Sequence, residues 1–186
     1  MMALTMDEED VSDGELARLA AAGDRPSFAR LVERHYAFVF RVAYRMTGHR
    51  ADAEDIAQDV CARLGRAIRT YRGGSAFTTW LYAIVVNAVR DRGRSAAREA
   101  ARRQAYGVHA LIEGEAACET DDPAEALWEA VRSLPPKQQE AVTLVYGEAL
   151  SHAEAADLLG CSETTVSWHI HEAKKRLKRI MSAGEV

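Results

Sequence analysis

Residues 151–179 read SHAEAADLLGCSETTVSWHIHEAKKRLKR, and this stretch decides the fold. Ala155, Ala156, Leu158 and Leu159 form an apolar stripe on a first helix. Gly160 follows, the residue that best tolerates a left-handed turn after a helix. Ser162 is placed to cap a second helix, with Glu163 favourable at its positive end. In that helix Val166, Ile170, Ala173 and Leu177 fall at i, i+4, i+7 and i+11, one buried face. The other face carries Thr164, Thr165, Ser167, Trp168, His171, Lys174 and Lys175. Small residues at Ala156 and Gly160 let the two helices cross closely. The pattern is that of a helix-turn-helix, whose second helix enters the major groove N-terminus first. An ordinary antiparallel helix pair is the plainer alternative.

Working outward, 186 residues suffice for one large or two small domains. Abundant charge with little glycine or proline predicts a helix-rich protein. No apolar run is long enough to span a membrane, and the N-terminus lacks the basic start and apolar core of a signal peptide. The expected location is the cytoplasm, with no direct membrane insertion. Cys61, Cys118 and Cys161 form no CxxC pair and read as reduced thiols.

A net charge of −4 at first argues against a nucleic-acid partner. Its distribution reverses that reading. Acid gathers before Leu16 and again between Glu113 and Glu129. Base gathers at Arg90, Arg92, Arg94, Arg98, Arg102 and Arg103, and from Lys174 to Arg179. Screening limits each charge to a reach of roughly 10 Å, so a local basic face attracts phosphate whatever the total.

Residues 1–11 are expected to be disordered. Ser12 and Glu15 predict a capping box opening a short helix that Gly23 ends. Asp24 is placed to cap a longer helix with Pro26 in its first turn. There Phe28, Leu31, Val32, His35, Val39, Val42, Ala43 and Met46 keep helical spacing up to Gly48. Residues 51–69 predict a further helix with Ile56, Val60, Leu64 and Ala67 inward. Asp52, Glu54, Asp55, Gln58 and Asp59 make the outer face of its first half acidic, suited either to the helix dipole or to a docking partner.

Ser75 is placed to cap a helix beginning near Phe77, in which Phe77, Trp80, Leu81, Ile84 and Val85 form the apolar stripe. Thr78, Thr79 and Trp80 at its start, with Asn87, Arg90, Asp91, Arg94 and Arg98 further along, give a ring and hydroxyls beside a row of arginines. Single-stranded DNA is held in this way: bases stack on rings while cations grip phosphates. Helix propensity continues to about Ala110, and 111–123 reads as an acidic linker. Ala126, Leu127, Ala130, Val131 and Leu134 begin a second domain spanning 124–181, with 182–186 as a tail. Pro135-Pro136 opens another helix, packed by Val142, Leu144 and Val145.

These parts, in this order, resemble bacterial sigma factors of the extracytoplasmic-function (ECF) group, which consist of two helical domains called 2 and 4. The likeness covers about residues 15–181. DAEDIAQDV (52–60) resembles the family's polymerase-clamp motif, and FTTWLYAIVVNAVRDRGR (77–94) its promoter-melting and −10-reading segment. SLPPKQQEAVTLVY (133–146) resembles the lead-in to domain 4, and AADLLGCSETTV (155–166) its helix-turn-helix. The resemblance implies an all-α protein with domain 2 at 12–110 and domain 4 at 124–181, joined by a flexible linker. It implies that Asp52, Glu54, Asp55, Gln58 and Asp59 dock on core RNA polymerase. It implies that Thr78, Thr79, Trp80, Asn87, Arg90 and Arg94 hold the melted −10 strand. Ser162, Thr164, Thr165, Ser167, Trp168, His171, Lys174 and Lys175 would meet the −35 duplex of promoter DNA. It also implies an anti-sigma partner.

There are departures. Cys61 and Gly65 stand where family members often carry aromatics, which predicts a looser first core. His169 and Glu172 stand where arginines are frequent, and a carboxylate near phosphates repels them. Trp168 lies off the Val166–Ile170 stripe and is expected to face solvent.

About ten disordered linker residues average roughly 17–19 Å end to end. Two promoter elements about seventeen base pairs apart, at roughly 3.4 Å each, are near 60 Å apart. The two modules therefore need a large third body to set their spacing, and core polymerase meets that need without covalent chemistry, cofactor or metal.

Two other readings compete. An autonomous helix-turn-helix regulator would dimerise on a palindrome and leave the Trp80–Arg94 segment only a packing role. A metal enzyme would use His152, His169, His171 and Cys161. His169 and His171, two apart on a helix, point to different sides, and no HExxH or paired cysteines support it.

Overall fold

The computed structural model describes residues 11–105 and 123–183, and every element in them is helical. The expectations for residues 1–10, for helix from 106 to 110 and for the linker at 111–122 lie outside the described residues. The first group comprises α1 (Asp13–Ala21), α2 (Arg25–Thr47), α3 (Arg50–Ala67) and α4 (Phe77–Ala105), with a 3₁₀ turn at Ile68–Thr70. The second comprises α5 (Pro123–Arg132), α6 (Pro136–Val142), a π turn at Thr143–Gly147, α7 (His152–Leu159) and α8 (Glu163–Ala183).

Capping chemistry explains most helix boundaries. The Ser12 hydroxyl accepts from the Glu15 amide, and Asp24 accepts from the Ser27 amide at 2.9 Å. Gly48 ends α2 at φ 76°, in the region only glycine enters freely. Ser75 does not cap α4. The Trp80 amide bonds the Ala76 carbonyl, so Ala76 holds the cap position, and the Ser75 carbonyl instead accepts from the Tyr71 hydroxyl at 2.8 Å. The full capping box is at Ser151 and Glu154, which satisfy each other's amides at the start of α7.

The α2 stripe buries Leu31, His35, Val39, Val42 and Ala43. His35 is buried because its Nε2 meets the Asp13 carboxylate at 2.7 Å, which ties α1 to α2. Against this face pack Ile56, Val60 and Leu64 of α3 and Phe77, Leu81, Tyr82 and Val85 of α4. The predicted α4 stripe is thus rotated slightly: Tyr82 and Val86 are inside, while Trp80 and Ile84 are only half-buried. Of the two positions where a looser core is expected, Cys61 is half-buried and Gly65 is exposed, with Leu64 and Ile68 buried nearby.

In the second group Val131, Leu134, Ala141, Val142, Leu144, Ala155, Val166, Ile170 and Ala173 share a core. Leu127, read as apolar packing, is exposed. Gly160 at φ 63° makes the turn between α7 and α8, and the Ser162 hydroxyl accepts from the Thr165 amide. The two groups also touch: α2 contacts α5 and the π turn, and α4 contacts α7. This packing departs from the expectation of two modules without a fixed spacing.

Candidate nucleic-acid interface

On α4 the residues Trp80, Asn87, Arg94 and Arg98 recur at intervals of seven and four, so they lie on one side of the helix. Phe77, Leu81, Val85 and Ala88 occupy the adjoining, buried side. Trp80 is half-buried. Its ring leans on Tyr71 and Phe77 at centroid distances of 5.4 and 5.7 Å, leaving part of it at the surface. An aromatic so braced has little rotamer freedom left to lose on contact with another flat ring. Thr78 and Thr79, just before it in α4, are also half-buried, and Asn87 is exposed. Arg94 pairs with Asp91, and this neighbour holds the Asp91 carboxyl below its ordinary range.

Arg90 is placed differently. It lies on the flank of the α4 stripe, and its guanidinium pairs with Glu140 of α6. It is thus engaged by the second helical group.

The acidic residues of α3 are surface groups with local partners. Arg92 of α4 reaches Asp52 at 2.7 Å and Asp55 at 3.2 Å. Arg63 reaches Asp59 at 2.7 Å, and Arg50 reaches Glu54 at 2.9 Å. Gln58 is exposed. The half-exposed pairs on Arg92 hold α3 against α4, yet exposed pairs of this kind are worth only about 0.2–1 kcal/mol. A partner offering better-placed cations can displace them. Sequence reading named the carboxylates but not Arg92 as their counter-ion.

Along α8 the predicted outer face is outside except at Thr165, which is half-buried. Trp168 is 56% exposed, with its ring edge against His169 at 5.0 Å. Thr164, Ser167, His171, Lys174 and Lys175 are exposed. Several of these residues are oriented by neighbours. The His152 Nδ1 lies 2.9 Å from the Ser167 hydroxyl, Thr165 shares a hydrogen bond with Ser162, and Lys174 sits over the Tyr146 ring at 5.3 Å.

The two departures resolve separately. His169 is half-buried, with its Nδ1 shut away from solvent, so it belongs to the body of the domain as well as to its face. Glu172 pairs with Lys175 at 3.1 Å, which holds its carboxyl below the usual range and sets a cation beside its charge.

His152 is thus spent on Ser167. Among the described residues no group of three or more His, Cys, Asp or Glu could hold a metal ion, and no helix is long and apolar enough to cross a membrane.

Comparison with known proteins follows the same two halves. The Sigma-70 region 2 family model matches residues 31–99, and the Sigma-70 region 4 model matches residues 124–177. The chain is 35% identical over 170 residues to the ECF RNA polymerase sigma factor SigM of Mycobacterium tuberculosis, covering 91% of this chain and 85% of that protein. It is 29% identical over 182 residues to the RNA polymerase sigma-H factor of Pseudomonas aeruginosa, covering 91% and 93%. Among solved structures it resembles CnrH in complex with the cytosolic domain of CnrY, with a TM-score of 0.67, 26% identity and coverage of 92% and 97%. Both halves match in order, and one relative above 30% identity aligns along most of its length. The chain belongs to the ECF family of RNA polymerase sigma factors.

Proposed function

We infer that this protein is an alternative sigma factor that gives core RNA polymerase its promoter choice, working in the cytoplasm under the control of an anti-sigma partner. Asp52, Glu54, Asp55, Gln58 and Asp59 dock on the core enzyme by exchanging their local arginines for cations of the polymerase. Thr78, Thr79, Trp80, Asn87, Arg90 and Arg94 receive the unpaired −10 strand: Trp80 stacks a base, Asn87 hydrogen-bonds, and the arginines hold phosphates. Ser162, Thr164, Thr165, Ser167, Trp168, His171, Lys174 and Lys175 meet the −35 duplex, with the N-terminus of α8 leading into the major groove.

The observation that carries this reading is the pair of faces. One α4 side presents a braced ring and cations, and one α8 side presents hydroxyls, an exposed indole and lysines. A regulator acting through its helix-turn-helix alone has no use for the first. Nothing in the mechanism makes or breaks a covalent bond, so the protein acts by binding and is no enzyme. Electrophoretic binding assays separate the two classes of DNA. Wild-type protein bound to core is expected to retain a promoter fragment that core alone does not, and Trp80→Ala is expected to abolish strand opening while leaving core binding intact. Tight, specific duplex binding without polymerase would overturn the reading in favour of an autonomous regulator.

A further inference from the structure

The contact between the two helical groups joins apolar and charged residues: their buried apolar side chains form one continuous cluster, and buried carboxylates pair across it. Glu140, at 2% exposure, pairs with Arg90 of α4 and lies 3.3 Å from Lys137 of its own helix. Glu148, whose side chain is 6% exposed, takes Arg41 at 2.9 Å and Arg45, both from α2. Gln139 donates to the Met46 carbonyl at 3.2 Å, and the Arg45 guanidinium lies 5.1 Å from the Trp128 ring centre. The same region leaves polar atoms without partners: the Tyr82 hydroxyl, Gln138 Oε1 and Thr143 Oγ1 are buried and unbonded. Burial, with Glu140 next in weight, pushes the Tyr82 phenol up.

The polar part of this interface is specific but poorly rewarded. Desolvating two carboxylates roughly cancels their attraction to the arginines, and each orphaned polar group costs more. It holds while nothing better is offered and opens when a competitor takes one of its ions. The competitor is identified by what Arg90 does in the proposed function. There its guanidinium holds a strand phosphate; here a carboxylate from the other domain occupies it.

We propose that Glu140 and Glu148 latch the two domains into a closed state in which Glu140 stands in for a backbone phosphate of single-stranded DNA on Arg90. This rests on the function proposed above and adds a self-masking step to it. In the closed state the domains are in contact, so they cannot reach promoter elements near 60 Å apart, about seventeen base pairs at roughly 3.4 Å each. Closing and strand binding compete for one side chain, so each must weaken the other by the same factor.

The test uses full-length wild type and the isosteric double variant Glu140→Gln/Glu148→Gln, with circular dichroism to verify helix content. Small-angle scattering reads closure directly. Fluorescence anisotropy with a labelled single-stranded oligonucleotide reads Arg90. Wild type is expected to be compact, and the variant to expand by several ångströms in radius of gyration. The variant should bind the oligonucleotide about tenfold more tightly, the gain from releasing a population about nine-tenths closed. Saturating oligonucleotide should expand wild type as well, which keeps the test alive if the variant does not fold.

An unexpanded variant, or wild type already extended, would overturn the latch and leave the promoter reading untouched. Expansion with unchanged strand affinity would overturn the masking of Arg90. Neither protein binding the strand or, with core polymerase, initiating at a promoter would overturn the underlying function instead.

Discussion

The acidic face of α3 yields a prediction that separates docking from folding. In Asp52→Asn/Asp55→Asn the side-chain shapes stay and two charges go. Arg92 then loses both ion-pair partners, but it is itself 49% exposed in its side chain, and Asp55 is 62% exposed. Half-exposed pairs contribute about 0.2–1 kcal/mol, and the asparagines still accept hydrogen bonds, so the double variant should lose at most about 1 kcal/mol of stability. Removing one side of a charge pair across a protein interface costs about 2–5 kcal/mol. At about 1.4 kcal/mol per decade, the lower figure is about thirtyfold in affinity.

The assay titrates core RNA polymerase against fluorescently labelled chain, beside urea denaturation of each variant. Arg92→Ala is the control. It loses the same intramolecular pairs but leaves the carboxylates free, so it should match the double variant in stability and bind core at least as well as wild type. The reasoning is refuted if the folded double variant binds core like wild type, or if Arg92→Ala weakens binding as much as the double variant does.

Three further outcomes are expected. Trp168→Ala should weaken binding of the polymerase complex to promoter duplex tenfold or more while changing stability by less than about 0.5 kcal/mol. The neighbouring Ile170→Ala, buried at 4% exposure, should instead cost about 2–5 kcal/mol in denaturant titrations. Ser151→Ala should lower stability by about 1 kcal/mol through loss of the α7 cap. The bonded Glu154 carboxyl is held below the ordinary glutamate range by Ser151, so its contribution is present above that range and disappears as pH falls through the lowered value. An acid titration of wild type against Ser151→Ala should therefore show the difference between them shrinking at low pH. Ala149 sits at φ 56°, where a Cβ is unwelcome, and Ala149→Gly should raise the melting temperature, with a gain of about 0.5 kcal/mol.

The repeating parts of the molecule were legible in the sequence because a helix writes its buried face at a fixed interval. The Leu31–Ala43 stripe and the Val166–Ala173 stripe lie where spacing puts them, and Gly48 and Gly160 turn where a left-handed residue is needed. The exposed Trp168 follows as the complement of the α8 stripe, whereas Trp80, placed by spacing within the α4 stripe, lies half-buried at its edge. What spacing could not reveal is pairing between distant residues. Arg90 and Glu140 are fifty positions apart, and Arg45 and Glu148 just over a hundred, with no period linking them. Arg92 read as one more base in a basic run, although it faces the α3 carboxylates.

The π turn at Thr143–Gly147 was equally invisible, since one inserted residue leaves a short apolar run looking helical. Trp128 drew no notice in a segment read only for Ala126, Leu127, Ala130, Val131 and Leu134. It is the ring over which Arg45 lies.

Transcripts made by purified core enzyme on sheared genomic DNA, with and without this chain, can be mapped at their 5′ ends. The account predicts a discrete set of start sites present only when both are supplied, each preceded by a shared pair of elements and lost with Trp80→Ala. Start sites that are the same with and without the chain would contradict it.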